Sequence, residues 1–244
     1  MQGKDKEQPV TAEERFQPFV DKMQQEGLPA QVIEQFRSYF RTLFDSRQSV
    51  GTLAEDEISP VDEKEIPSQE NLGEEQERTG LDRLQQTVMI KVNGGLGTSM
   101  GMPHAKSLLT ARPGHTFLDI ILLQARCLDI PLLLMDSFHT REDVVQYWER
   151  QGVPPENRPR SFVQHKFPKV LQNLEPASCP ERPELEWNPP GHGDVFAALE
   201  TSGCLDELLE QGKRYAFISN SDNLGSAVDP RILGYMVQQG YFFL

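Results

Sequence analysis

Glycines that leave an apolar run and lead to a lysine are suited to holding a polyanion. The sequence contains such a run: Lys91-Val-Asn-Gly94-Gly95-Leu-Gly97-Thr98-Ser99-Met100-Gly101, followed by His104-Ala-Lys106-Ser107. Glycines let the backbone approach a ligand and leave N–H groups free to face phosphate oxygens. Thr98 and Ser99 add hydroxyl donors, and Lys106 is placed to offset charge developing on a phosphate. Spacing excludes two common phosphate loops. A Walker A loop needs glycine immediately before the lysine and another five residues earlier, where Ala105 and Met100 stand. A dinucleotide GxGxxG begun at Gly95 needs its third glycine at position 100, which is Met. A structural turn beside an unrelated exposed lysine is the competing explanation. The conjunction of strand, glycines and lysine favours the phosphate site.

Two further places carry chemistry. His192 lies between Gly191 and Gly193, a setting for close ligand approach rather than for a histidine on a helix face. Asp222 follows an apolar run inside Asn220-Ser221-Asp222-Asn223. There it is either an Asx turn or a carboxylate for metal or phosphate work. Lys166 and Lys169 have the ordinary role of solvated charges. The five histidines form no HxH or HExxH pattern, which disfavours structural zinc. Cys127, Cys179 and Cys204 are far apart and odd in number, which fits a reducing, cytoplasmic setting.

These residues must be positioned by the elements around them. Apolar β-rich runs at 87–92, 130–135, 161–164 and 215–219 alternate with helical patterns at 117–128 (capped by Thr116), 141–151 and 194–200. Such alternation predicts an α/β fold with a mostly parallel sheet, in which ligands bind beyond the carboxyl ends of the strands. Ahead of it, Thr11-Ala-Glu-Glu14 reads as a capping box, with Phe16, Phe19, Val20 and Met23 at helical spacing. Val32, Phe36, Tyr39/Phe40 and Leu43 form the stripe of a second helix, making an αα-hairpin expected to pack on the main domain with Phe36 and Tyr39 in the core. Residues 46–80 are acidic, with Pro60 and Pro67, and predict an extended or disordered connector. Residues 1–80 are therefore expected to form a helical hairpin and connector, and 81–244 the main domain. The apolar ending Gly-Tyr-Phe-Phe-Leu244 resembles the middle of a buried strand and predicts a truncated domain.

The 244 residues carry a net charge of −13, of which residues 1–80 contribute −9. That excess argues against a nucleic-acid partner. The longest apolar region, 117–135, is broken by Asp119, Arg126 and Asp129, which argues against a membrane span.

The stretch KVNGGLGTSMGMPHAKSLL resembles the signature loop of the UTP–glucose-1-phosphate uridylyltransferases, also called UDP-glucose pyrophosphorylases, of eukaryotic type. The likeness continues in order through MDSF (135–138), FVQHKFPKV (162–170), PPGHGD (189–194) and ISNSDNLG (218–225), and includes the acidic segment 57–72. The resemblance implies a Rossmann-like nucleotidyltransferase α/β/α sandwich that joins UTP and glucose 1-phosphate with Mg²⁺. It implies a C-terminal β-helix domain and a second basic residue over the phosphates, neither of which this sequence contains. By the same resemblance Gly94, Gly95, Gly97 and Thr98 hold the nucleotide, and Lys106 is the catalytic lysine over its phosphates. Met135 and Gln164 lie near the uracil, where an amide can both donate and accept. Gly191 contacts the base, His192 and Asn220 lie on the sugar-phosphate side, and Asp222 is the acidic catalytic and metal-side residue. The sequence does not give the oligomeric state, because the resemblance places family oligomer contacts in the C-terminal part. Two departures stand out: His104-Ala105 replaces a common Gly-Pro, and Asp136 replaces a common Asn. Ser99-Met100, in place of Arg-Leu, favours glucose 1-phosphate over an N-acetylhexosamine or a broad range of sugars. A non-catalytic nucleotide-binding protein is the alternative outside enzymes.

Overall fold

The structure is a computed structural model, and it describes residues 11–46, 55–60, 67–96 and 104–244. The chain forms two compact units, one from residues 1–58 and 165–190, the other from 59–164 and 191–244.

In the first unit, α1 (Ala12–Gln25) opens with the expected capping box between Thr11 and Glu14. Helix α2 (Ala30–Ser46) packs its Phe36 and Phe40 against Phe16 and Phe19, with ring centroids 5.1–5.8 Å apart. Phe167, from the short antiparallel pair of β6 (Phe167–Pro168) and β7 (Trp187–Asn188), closes the cluster 4.8 Å from Phe36. The inner stripe of α2 is Val32, Ile33, Phe36 and Phe40, whereas Tyr39 is 54% exposed, contrary to expectation. At i+4 from Phe36, Phe40 takes the inward position, and Tyr39 falls on the flank with its hydroxyl beside Gln35. Lys166 is fixed here too, on the Glu26 carboxylate and over the Trp187 ring.

The second unit holds a four-stranded parallel sheet: β1 (Thr87–Asn93), β4 (Leu132–Asp136), β5 (Arg160–Val163) and β8 (Tyr215–Asn220), in the order β5-β4-β1-β8. Each expected strand is present within one or two residues. Between β1 and β4 lie a small antiparallel pair, β2 (Thr110–Arg112) with β3 (His115–Thr116), and then α4 (Phe117–Cys127). Helix α5 (Arg141–Arg150) links β4 to β5; α6 (Asp194–Thr201) and α7 (Cys204–Glu210) precede β8. Side chains alternate across the sheet. Met89, Leu132 and Leu134 meet α4 and α5 on one face. Val88, Ile90, Met135 and Phe162 meet α6 and α7 on the other. This is the mostly parallel, doubly covered sheet that the alternation predicted.

Two elements depart from the expectation. Residues 74–80, expected in the connector, belong to α3 (Glu74–Leu81), which packs on α8 (Pro230–Gln239). Two glycines make that packing close: a Cβ at Gly80 would lie 1.8 Å from the Pro230 carbonyl oxygen, and one at Gly234 1.8 Å from that of Gln76. The apolar end is no buried strand. Helix α8 stops at Gly240 in the left-handed conformation (φ 68°), and Phe242 and Phe243 beyond it are exposed.

Candidate functional site

The connections fix where a ligand can sit. From β1 the chain moves outward to β4 and β5 by helices on one face. It then returns by α6 and α7 on the other face to β8, on the far side of β1. The winding therefore reverses between β1 and β8, and in sheets of this kind the ligand crevice lies beyond the carboxyl ends of the strands at that reversal. Two segments leave the sheet at that point, one after Asn93 and one after Asn220.

After β1, Gly94 lies under the end of the neighbouring strands. A Cβ there would sit 2.4 Å from the Gln164 amide nitrogen and 3.3 Å from the Ser137 Cβ. Gln164, 5% exposed, is anchored by its own N–H to the Asp136 carbonyl at 2.8 Å. Any Cβ there would push the Gln164 amide aside, so the glycine is what lets Gly94 and Gln164 pack together as a pair. The last carbonyls of the β1 segment are held from the turn after β4. Thr140 Oγ1 donates to the Asn93 carbonyl (2.8 Å) and Ser137 Oγ to that of Gly94 (3.0 Å).

The segment returns at Ala105, bridged to Leu96, with Lys106 N–H donating to the Gly95 carbonyl at 3.1 Å. That closure aims Lys106 at the crevice. Its ammonium lies 3.3 Å from Asp222 Oδ2, across 116 residues of sequence. The two side chains are 31% and 41% exposed, an open ion pair at the surface. Gly97 and Thr98, with Ser99 and Met100, lie outside the described residues.

After β8, Ser221 N–H donates to the Val92 carbonyl, so the β1–β8 ladder runs on to the site, and Asn220 is exposed at its end. Gly191 and His192 are exposed just ahead of α6, with Gly191 at φ 110°, a conformation that favours glycine. Helix α6 carries the chain back from the carboxyl edge of the sheet, so its start belongs to that edge. Met135 is fully enclosed in the core beside Phe162 and Val195.

Sequence patterns missed the supports. Asp136, fully buried, accepts from Asn93 Nδ2 at 2.7 Å and pairs with Arg141. Burial pushes its carboxyl above the usual range, against the pull of those two partners. Lys91, fully enclosed in β1, reaches under the β8 segment to Ser219 Oγ (2.6 Å) and the Ser226 carbonyl (2.9 Å). Burial lowers its ammonium to about 8. A lysine inside TVMIKV is the one signal that pointed to this anchor.

A single metal ion of the Mg²⁺ kind needs one or two protein carboxylates alongside phosphate oxygens. The described residues contain no cluster of three or more acidic, histidine or cysteine ligands. The exposed Asp222 carboxylate beside Lys106 fits that lean donor set.

The family model for UTP–glucose-1-phosphate uridylyltransferase matches residues 33–244. The enzyme of that name from Saccharomyces cerevisiae is 38% identical over 216 residues, covering 85% of this chain and 43% of the yeast protein. That from Pyrus pyrifolia is 43% identical over 170 residues, covering 65% and 35%. Among solved structures, a mutant UDP-glucose pyrophosphorylase from Leishmania major in complex with UDP-glucose superposes with a TM-score of 0.80 at 37% identity, covering 93% of this chain and 48% of that one. A UDP-glucose phosphorylase from Trypanosoma brucei gives 0.76 at 35% identity, with coverage of 93% and 48%. The chain thus spans less than half the length of these relatives. The family model covers the residues of all five motifs, and the solved relatives share the fold: the chain belongs to the UTP–glucose-1-phosphate uridylyltransferase family.

Proposed function

We propose that the protein acts in forming UDP-glucose and pyrophosphate from UTP and glucose 1-phosphate. The observation that carries this is the meeting of Lys106 and Asp222 at the crevice between β1 and β8. A phosphate oxygen of glucose 1-phosphate attacks the α-phosphorus of UTP. A new P–O bond forms, the bond from the α-phosphorus to the bridging oxygen breaks, and its electron pair leaves with pyrophosphate. No side chain need become covalently attached. The protein's task is to align two polyanions and offset their repulsion.

Gly94, Gly95, Gly97 and Thr98 cradle the nucleotide, and Lys106 lies over the phosphates. Gln164, packed on Gly94, reads the pyrimidine edge, with Gly191 giving a backbone contact to the base. Enclosed Met135 shapes the floor through packing. His192 and Asn220 face the sugar phosphate. Asp222 is the residue that would hold Mg²⁺. When bound, the ion screens phosphate charge and stabilises the departing pyrophosphate. Among the described residues no helix is long and apolar enough to cross a membrane, and Cys127, Cys179 and Cys204 are unpaired. Both facts support a cytoplasmic place of action.

The test is UDP-glucose formation by the complete gene product with Mg²⁺, comparing wild type with Lys106→Ala. We expect kcat to fall about 100-fold or more, and UTP affinity by much less. Equal losses in both, or a variant within threefold of wild type, overturn the assignment of Lys106. Calorimetry with UTP against ATP separates uridine recognition from general phosphate affinity.

A further inference from the structure

An aspartate at the third position of a helix ordinarily turns back on its own N-terminus. Two acidic residues here do so. Glu14 closes the capping box of α1 with Thr11, and Asp119 that of α4 with Thr116. Asp143 occupies the same third position of α5 and does not. At α5 the N–H of the N-cap residue is taken by another group: Ser137 Oγ accepts from Thr140 N–H, and Thr140 Oγ1 in turn from Ser137 N–H. Both carboxylate oxygens of Asp143 instead point to the segment that ends in Lys106. Oδ2 accepts from Ala105 N–H at 2.9 Å, and Oδ1 lies 3.1 Å from His104 Nδ1.

From this geometry we propose that Asp143 is a positioning residue for Lys106. It clasps the two residues before the lysine and so fixes where the ammonium points. The inference rests on the nucleotide site proposed above and adds a residue to it. Ala105 is fully buried, so its N–H has no access to water, and a charged acceptor is the strong partner for it. The next N–H, that of Lys106, is committed to the Gly95 carbonyl. Between them the two bonds hold the base of the loop on both sides, one from α5 and one from the β1 segment. His104 is 62% exposed in its side chain and adds a second, looser hold at the same carboxylate.

Two measurements test the proposal on this chain. The first is UTP affinity in a double-mutant cycle of Asp143→Ala and Lys106→Ala. Acting through the lysine, Asp143→Ala should weaken UTP about fivefold in the wild-type background, no more than Lys106→Ala does alone, and less than twofold once Lys106 is already alanine. Asp143→Asn retains an acceptor for Ala105 N–H and should recover most of the loss. Equal losses in both backgrounds make Asp143 a general stabiliser and overturn the proposal. The second is amide hydrogen exchange without ligand. Asp143→Ala should speed exchange at Ala105 and Lys106 about tenfold or more, with Tyr147 and Trp148 in α5 unchanged. Unaltered protection at Ala105 and Lys106 also overturns it. If wild type binds no UTP, the nucleotide site itself is refuted, and the exchange result still decides whether the clasp exists.

Discussion

Lys91 offers the sharpest physical test of the sheet that carries the site. Its ammonium is enclosed between β1 and the segment after β8, and its hydrogen-bond partners are a hydroxyl and a carbonyl, with the Phe217 ring 5.4 Å away. With neutral partners, burial dominates and lowers the ammonium from 10.5 to about 8. That interval corresponds to about 3 kcal/mol. The sign follows from proton counting. Between pH 8 and 10.5 the unfolded chain keeps the proton and the folded one has released it, so stability rises with pH across this window. Below pH 8 both states are protonated and the full cost of the buried charge is present. Lys91→Met keeps the volume and removes the titration. The stability of wild type minus that of the variant should therefore rise by about 2 kcal/mol between pH 7 and 9.5. The difference cancels other groups that titrate equally in both proteins. Urea unfolding followed by tryptophan emission measures it. A Trp187→Phe background leaves Trp148 in α5 as the only reporter, so the signal comes from the unit that contains the sheet. A flat difference would mean the ammonium is not enclosed. A difference that falls with pH would mean it has an anionic partner, and either result refutes the account.

Other expectations follow from close approaches and exposed groups. Gly94→Ala forces the Gln164 amide to move, and should weaken UTP binding more than ATP binding in paired calorimetry, with a stability loss of only about 1 kcal/mol because the displaced end is flexible. Gly80→Ala meets backbone rather than a side chain, and should lower unfolding stability by about 3 kcal/mol, read by denaturant titration. Asp222→Asn in the complete gene product should raise the Mg²⁺ concentration needed for half-maximal UDP-glucose formation by about tenfold; an unchanged requirement removes Asp222 from the metal side.

The strands and most helices of the sheet unit were legible because they follow simple rules. TVMIKV, IPLLLM and YAFIS are apolar and β-rich, and Thr116 with Asp119 marks a helix start. Lys106 and Asp222 could be singled out because each follows the end of a core strand, and a parallel sheet places all such ends on one edge. What could not be read depends on partners distant in sequence. Asp143 looks like any first-turn helix acid until Ala105 is seen beside it. Ser137 and Thr140 look like loop hydroxyls until the β1 carbonyls arrive. Tyr39 shares the apolar character of Phe40, and only the arrival of Phe16 and Phe19 from α1 decides which of the two turns inward. Helix α3 sits in an acidic stretch of weak periodicity, and its packing depends on Gly80 meeting a glycine 154 positions away.

The weakness of the Lys106–Asp222 pair is itself informative. At 3.3 Å, with both side chains about a third exposed, such a contact contributes about 1 kcal/mol or less. A buried, multiply bonded pair would have to be broken at a cost of several kcal/mol before either group could serve a ligand. The structure keeps its strong, enclosed interactions one layer below: Asp136 with Asn93, Lys91 with Ser219 and Ser226, Asp143 with Ala105. The backbone at the edge is thereby fixed while the two charged ends above it are held loosely by each other. A triphosphate arriving at the crevice offers Lys106 a stronger partner than one carboxylate, and Asp222 is then free for a cation that accompanies the phosphates. The consequence is measurable. In a double-mutant cycle with Lys106→Met and Asp222→Asn, the coupling in unfolding stability should be below about 1 kcal/mol, while the same cycle in UDP-glucose turnover should be far from additive, because either loss alone leaves the phosphate charge unbalanced. A large stability coupling with independent effects on turnover would show the pair to be a structural brace instead.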